Sequence, residues 1–199
     1  MSKANKSNKA IKYRLYPNDE QKVMFAKTFG CCRFVYNQLL ALQKQRYKDG
    51  ESHLSKLKSN EFATRTLKKD YDFLKEIDKF AVSNAVFHLA DAYDRFFKKQ
   101  NHFPKFKSKR KSKKSYTTNF TNNNILIGKN VIKLPKVGMV KAVIHKLPKD
   151  DWKLKSVTVS QDSVGNYFAS VLFEYEQEDI PSVSKSSTNA IGLDYKSDG

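Results

Sequence analysis

The chain has 199 residues, and its 38 Lys and Arg against 20 Asp and Glu give a net charge of +18 and an isoelectric point near 9.8. No segment reaches the ~18 apolar residues of a membrane span, and the first ten residues have no apolar run of the kind a signal peptide needs. The adjacent Cys31 and Cys32 suit neither a disulfide framework nor a zinc site. We therefore expect a cytoplasmic, nucleoid-associated protein whose surface attracts polyanions such as DNA or RNA, with no membrane partner.

The first predicted elements are a strand and a set of helices. Ile11, Tyr13 and Leu15 alternate with polar residues, as in a half-buried strand. Pro17 ends it, and Asn18 can cap a helix. Apolar residues then recur at helical spacing in three groups, which are Cys32, Val35, Tyr36, Leu39 and Leu42; a weaker set of Leu57, Phe62 and Leu67; and Val82, Ala85, Val86, Leu89, Tyr93, Phe96 and Phe97. These groups predict a small helical bundle.

After Pro104 the sequence predicts short β-strands. They span residues 125–127, 131–134, 139–144, 154–159 and 167–175, with turn signals between them. Several antiparallel strands of this kind predict a small β-barrel. The N-terminal strand has no partner nearby, so we expect it to pair with these later strands. The fold class is then α+β, an antiparallel barrel into which the helices are inserted.

The predicted organisation has five parts. Residues 1–16 hold the first strand of the barrel, 17–103 the helical insertion, and 104–176 a basic tract and the rest of the barrel. Residues 177–189 are Ser-rich and predict a linker. Residues 190–199 become apolar again and predict the first strand of a further domain.

The densest charge is a basic tract between residues 98 and 114 that contains no acid. Its nine cations, half of the net charge, are Lys98, Lys99, Lys105, Lys107, Lys109, Arg110, Lys111, Lys113 and Lys114. Cations packed this closely repel one another unless an anion lies between them, so we favour phosphate contact over a solvated linker. Phe103 and Phe106 offer either base stacking or packing against the body, and packing is the commoner role.

Other residues carry weaker signals. Lys12, Arg14, Arg33 and Arg46 could extend the electropositive track or be ordinary surface residues. Trp152 is expected to pack at the end of the barrel. The four histidines show no metal-ligand spacing, and His88 falls within an apolar helix, which predicts an interior or interface position.

Asp194 ends the apolar segment Ile191-Gly192-Leu193-Asp194. Metal-dependent phosphodiester hydrolysis needs carboxylates held rigidly near the scissile phosphate, and a strand end holds one well. An Asp in this position is more often a turn residue.

Seven segments resemble the TnpB (OrfB-type) proteins of insertion sequences, which are compact relatives of type V CRISPR effectors. They are KYRLYPNDEQ (12–21), FGCCRFVYN (29–37), FLKEID (73–78), AYDRFFK (92–98), FPKFKSKRK (103–111), VIKLPKVGMVK (131–141) and IGLDYKSDG (191–199). The resemblance implies a barrel-like wedge domain interrupted by a helical recognition domain, followed by a RuvC-type nuclease domain. It further implies an RNA-guided DNA endonuclease, historically called a transposase, with guide RNA and double-stranded target DNA as partners.

The resemblance makes Asp194 the first of three RuvC acids that bind Mg²⁺ or another divalent metal, and the other two would lie beyond Gly199. A Gly that often follows this acid by two positions is Lys196 here. We expect this chain alone to bind no metal and to cleave nothing. Three alternatives remain open: half of a split nuclease that contributes Asp194 to a separate polypeptide, a nuclease-inactive guided DNA-binding repressor, and a nonfunctional remnant.

Overall fold

The computed structural model describes residues 5–177, and it combines helices with one antiparallel sheet. The helices are α1 (Asp19–Lys48), α2 (Lys56–Glu61), α3 (Lys68–Asp70) and α4 (Lys79–Phe97), with a π-helical segment (Phe62–Leu67) and a 3₁₀ turn (Asp72–Lys75). The strands are β1 (Asn5–Tyr16), β2 (Lys114–Asn119), β3 (Leu126–Ile127), β4 (Val131–Leu134), β5 (Gly138–Val143), β6 (Lys153–Gln161) and β7 (Tyr167–Gln177). The predicted strand at 190–199, with Asp194, and nearly all of the predicted linker lie outside the described residues.

Helix α1 begins after the predicted cap at Asn18, and a glycine follows its C-terminal end. The Asn18 side chain accepts a hydrogen bond from the Gln21 backbone at 2.8 Å, and the Gln21 side chain accepts one from the Asn18 backbone at 3.1 Å. This reciprocal pair satisfies two backbone N–H groups at the helix start. After the helix, Gly50 adopts a φ of 72°, a left-handed conformation that glycine accepts at little cost.

Helix α4 packs against α1 through small side chains. Ala81, Val82 and Ala85 are buried, and the Cys32 thiol of α1 lies 3.4 Å from the Ala81 carbonyl oxygen. Between the two long helices, the predicted weak stripe is partly wrong. Leu67 is buried, but Leu57, on the six-residue helix α2, is 82% exposed.

The central strands of the sheet come from opposite ends of the described chain. The strand order is β2-β6-β7-β1-β5-β4-β3. Strand β1 pairs antiparallel with β7 from Asn5↔Gln177 to Leu15↔Tyr167, and its last residues pair with β5. The prediction that the N-terminal strand joins the later strands is therefore confirmed.

The sheet is open, and the predicted β-barrel is not found among residues 5–177. The pairing begins at β2 and ends at β3. Helix α1 covers one face instead, since the Phe25 ring lies 5.4 Å from the Tyr167 ring and 6.3 Å from the Tyr116 ring. The apolar face of the sheet is thus buried against helices, which removes the need for closure.

Strand β2 was missed by the sequence prediction. Its Tyr116 and Thr118 are buried and alternate with half-buried residues, but two lysines precede them and Thr replaces the usual aliphatic residues. In β7 the predicted alternation is confirmed, because Tyr167, Ala169, Val171 and Phe173 are all buried.

Trp152 packs at the end of the sheet as predicted, with its ring stacked 5.3 Å from that of Tyr175. Within the described part of the chain, no helix combines the length and the apolar character that crossing a lipid bilayer demands.

Candidate nucleic-acid interface

The basic tract, residues 98–114, runs back along α1 after α4 ends. Lys98 caps α4, and Lys99 takes a φ of 57° that reverses the chain. The tract passes Lys44 of α1 near Phe106, reaches Asn37 at Lys107, and enters β2 at Lys114. The tract therefore lies over the body of the protein for much of its length.

Asn37 anchors the middle of the tract. Its side-chain amide donates to the Lys107 carbonyl oxygen at 2.9 Å and accepts from the Lys107 N–H at 2.8 Å. The Lys107 ammonium then lies 4.0 Å from the centre of the Tyr36 ring, a cation–π contact. Burial lowers the pKa of this ammonium group. The backbone of the tract is thereby held in one place on α1.

The two phenylalanines of the tract differ in their packing. Phe103 packs edge-on against Phe96 at 5.2 Å and Tyr93 at 5.6 Å, which confirms the predicted packing role. Phe106 is 53% exposed, and the Lys44 ammonium lies 4.8 Å from its ring centre.

Most cations of the tract face solvent. Lys107 is half-buried, and the other eight are exposed. None of the nine forms an ion pair with an acid among residues 5–177, and Lys114 instead donates to the Gln161 side chain at 3.0 Å. Their mutual repulsion is left uncompensated by the described protein, so an external polyanion would gain from lying here.

The second half of the tract borders a cavity between α1, α4 and β2. The cavity has a volume of about 50 Å³, and its cationic lining consists of Arg33, Lys107, Lys113 and Lys114. Arg33 therefore joins the tract. No Asp or Glu lines the cavity.

His88 also lines this cavity. His88 is exposed, so of the two predicted positions the interior one is wrong, and the residue instead lies at the cavity of the candidate interface. Partial burial, and to a lesser extent Lys107, lowers the pKa of His88, which favours the neutral imidazole.

The floor of the cavity is packed and unreactive. Cys32 and Tyr116 form it, and both are buried. Burial raises the pKa of the Cys32 thiol to about 12, so the thiol stays protonated at neutral pH. The cavity thus has a neutral floor beneath a cationic rim.

Lys12 and Arg14, the strand cations, lie apart from the tract. Phe168 of β7 neighbours Tyr167, whose side chain faces α1, so by strand alternation Phe168 faces away. The Lys12 ammonium lies 4.2 Å and the Arg14 guanidinium 5.0 Å from the Phe168 ring centre. Arg14 also donates to the Asn166 side chain. The structure therefore does not unite these two cations with Arg33 and the tract.

Arg46 serves its own helix end. It forms an ion pair with Glu51 and donates to the Ser52 carbonyl oxygen. Because these local contacts engage Arg46, we do not place it in the electropositive track.

Sequence reasoning missed two features of this surface. One is the role of Asn37, a polar residue of α1 with no local signal of a contact with the tract. The other is a cluster of aromatic side chains near Phe103, gathered from three separated segments. No group of three or more His, Cys, Asp or Glu that could hold a metal exists within residues 5–177.

Comparison with known proteins identifies the family of this sequence. A family model described as a helix-turn-helix domain, of the OrfB protein of IS605-type elements, matches residues 7–52. A "Putative RNA-guided DNA endonuclease" of Streptomyces pristinaespiralis is 30% identical over 94% of this chain and 45% of its own length. The chain belongs to the TnpB (OrfB-type) family.

Two further relatives match this TnpB-family chain. The "Putative RNA-guided DNA endonuclease InsQ" of Escherichia coli K12 is 29% identical over 93% of this chain and 44% of its own length. The "Virulence protein VsdF" of Salmonella dublin is 32% identical over 51% of this chain and 93% of its own length. The chain thus spans under half the length of the two endonuclease-named relatives.

The structure qualifies the name of the matching domain. Residues 7–52 contain β1 and the single 30-residue helix α1, with no second helix after a turn. In this TnpB-family chain the matched segment is therefore a strand followed by one long helix.

Proposed function

We propose that this chain is the nucleic-acid-binding portion of a transposon-associated RNA-guided DNA endonuclease, and that it grips guide RNA and double-stranded target DNA. The observation that carries the proposal is the basic tract, whose nine cations have no acidic partner in the described protein and whose backbone is fixed on α1. The names of the relatives from Streptomyces and E. coli support the same function.

The charge arrangement suits sugar-phosphate chains better than compact anions. The tract extends from the C-terminal end of α4 to β2, whereas a small anion would need cations converging on one point. The cavity beside Arg33 and Lys113 supplies one such point along the path. An extended row of cations with one recess along it suits contact with a phosphate backbone.

In this proposal the open sheet acts as the wedge and the helices between β1 and β2 act as the recognition part. Asn37 on α1 fastens the tract that follows α4. Nucleic acid lying on the tract would therefore contact both parts at once.

The proposed binding of nucleic acid does not by itself imply DNA cleavage. Asp194 remains a proposed Mg²⁺ ligand and first acid of a RuvC site, but it lies outside the described residues. The described residues hold no metal-binding group of three or more side chains, so they do not fit a catalytic metal site, and we derive no cleavage step through them.

The proposal is tested by titrating the purified chain with a labelled RNA hairpin and a labelled DNA duplex between 50 and 200 mM salt, roughly the range in which phosphate contacts dominate. We expect tight binding of both at the lower concentration, with log affinity falling linearly with log salt. Polyglutamate serves as a polyanion control and should compete weakly. Absence of binding to either nucleic acid at low salt would refute the proposal.

A cleavage assay with Mg²⁺ addresses the enzymatic alternative. We expect no cutting of the duplex by this chain alone. Cutting that appears only when a separate RuvC polypeptide is added would favour a split nuclease that uses Asp194.

A further inference from the structure

Aromatic side chains line a groove where α1 and α4 end. They are Tyr47, His53, Tyr93, Phe96, Phe97 and Phe103, and we call them the aromatic groove. The groove has a volume of about 580 Å³, within the range of roughly 300–1,000 Å³ typical of ligand sites. Tyr47 is 84% and Phe97 62% exposed. Exposed apolar surface of this kind usually marks an interaction site.

The inner rings of the groove are held in place by one another. The His53 ring lies 4.5 Å from that of Tyr93, and the Tyr93 ring lies 5.6 Å from that of Phe103. The Gln43 side chain bonds both the N–H and the carbonyl of Leu54, which fixes the loop that carries His53. The groove is therefore a built surface, with Tyr47 and Phe97 at its open edge.

The rim of the groove is cationic. Lys44 and Lys48 line it, and Lys98 and Lys99 follow Phe97 directly in the chain. The one acid in the lining, Glu51, is already paired with Arg46. A ligand with an apolar face and an attached negative charge would complement this arrangement.

The groove is also continuous with the candidate interface. Phe103 belongs to both the groove and the basic tract, and Lys44 contacts both Phe103 and Phe106. A nucleic-acid strand held by the tract would therefore reach the groove at the end of α4.

We propose that the aromatic groove receives an unpaired nucleobase of the bound RNA or DNA, stacked against Tyr47 and Phe97 while neighbouring phosphates contact the lysines of the rim. This inference rests on the proposed nucleic-acid function. An unpaired base is required because the faces of bases in a duplex are already stacked on one another, whereas aromatic side chains readily stack bases of single strands.

The test compares Tyr47→Ser/Phe97→Ser with Val23→Ser. Val23 is 68% exposed on the same helix as Tyr47, and the two positions are separated by about 36 Å along it. The ligands are oligo-uridine and oligo-thymidine of about 12 nucleotides, a length within the usual span of single-strand sites, and a DNA duplex of equal length. Circular dichroism checks that each variant folds.

We expect the double variant to lose about 5- to 150-fold in affinity for the single strands, as removal of base stacking does, while duplex affinity stays at the Val23→Ser value. The salt dependence should not change, because no phosphate contact is removed. A 2-aminopurine placed in the single strand should be quenched by the unmodified protein and less by the double variant. The RNA and DNA arms show which polymer supplies the base.

Each other outcome has a definite meaning. Equal loss on duplex and single strands, or no loss on either, would overturn the groove inference while leaving the proposed function intact. A change of molecular mass of the double variant in sedimentation would indicate that a second copy covers the groove, which also overturns it. If the unmodified protein bound neither polymer, the proposed function would fail first and the groove inference with it.

Discussion

The basic tract and the strand cations carry the same kind of charge in opposite settings. Lys12 and Arg14 lie against Phe168, and Arg14 also bonds Asn166, so their positions are fixed by their own side-chain contacts. In the tract the backbone is fixed by Asn37 at Lys107, whereas most of the cationic groups are exposed to solvent.

The difference suggests a division of labour. Exposed cations on a fixed backbone can contact a phosphate chain of any sequence, which gives affinity without sequence selectivity. A guanidinium held against a ring has a defined direction and can make specific contacts. We therefore expect the tract to dominate affinity and the strand cations to contribute less.

The largest effect concerns the floor beneath the tract. In a Cys31→Ser background, the alkylation of Cys32 by iodoacetamide at pH 8 should be roughly a thousandfold slower in the folded than in the unfolded protein, because a thiol pKa of about 12 rather than the ordinary 9.0 leaves very little thiolate. Rates are measured with and without guanidinium chloride. Similar rates in both would show that the floor is open.

The second effect separates the two basic surfaces directly. We expect Lys109→Gln/Arg110→Gln/Lys111→Gln to lower RNA and DNA affinity by up to about a hundredfold at low salt, and to reduce the log–log salt slope by up to about 2.7. A gel-shift titration at several salt concentrations measures both quantities.

Two variants control this experiment. The variant Lys69→Gln/Lys129→Gln/Lys149→Gln removes three positive charges from exposed positions outside the tract. It should change affinity little. Lys12→Gln/Arg14→Gln should have an intermediate effect. A loss in this strand variant as large as in the tract variant would contradict the proposed division of labour.

The third effect concerns the joint between α4 and the sheet. The buried Asp78 carboxylate accepts hydrogen bonds from the Ala81 N–H at 3.3 Å and from the Thr118 hydroxyl at 2.7 Å. Asp78→Ala should lower the free energy of unfolding by about 2 kcal/mol, since it removes a helix cap and leaves a buried hydroxyl without this acceptor. Urea denaturation measures it, and Asn18→Ala, which removes a surface cap only, should cost about half as much.

The smallest effect tests the anchor of the tract. Asn37→Ala removes two hydrogen bonds at a half-buried site and should cost about 1 kcal/mol of stability while weakening duplex binding severalfold. Gln43→Ala is a matched control, because Gln43 bonds the Leu54 backbone in the same two-sided way on the same helix. It should cost similar stability without affecting duplex binding; an equal loss of binding would show that the anchor is merely structural.

Local signals explain which elements the sequence predicted. The cap at Asn18, the apolar stripe of α4 and the alternation in β7 depend on neighbouring residues, so they could be recognised and are confirmed. Strand β2 was hidden because it begins with Lys114, directly after Lys113, and because Thr118 is buried through a hydrogen bond to Asp78. Whether the sheet closes depends on contacts between distant segments, which no local pattern encodes.

The same distinction applies to the candidate site. The basic tract is a dense run of positive charge and was therefore evident from the sequence. Long-range packing determines three other features. These are the attachment of the tract to Asn37, the separation of Arg14 from Arg33, and the aromatic groove. The assignments of Asp194 and of the tract residues to specific contacts stay predictions.

The pairing of β1 with β7 has a consequence for synthesis of the protein. Strand β1 emerges from the ribosome first, yet its main partner is made more than 150 residues later. The helices and the cationic tract must therefore exist before the middle of the sheet can form, and contacts this distant in sequence slow folding. A nascent chain would keep an unpaired strand edge and a highly charged segment accessible together, so an RNA present during translation could meet the tract before the sheet beneath it is complete.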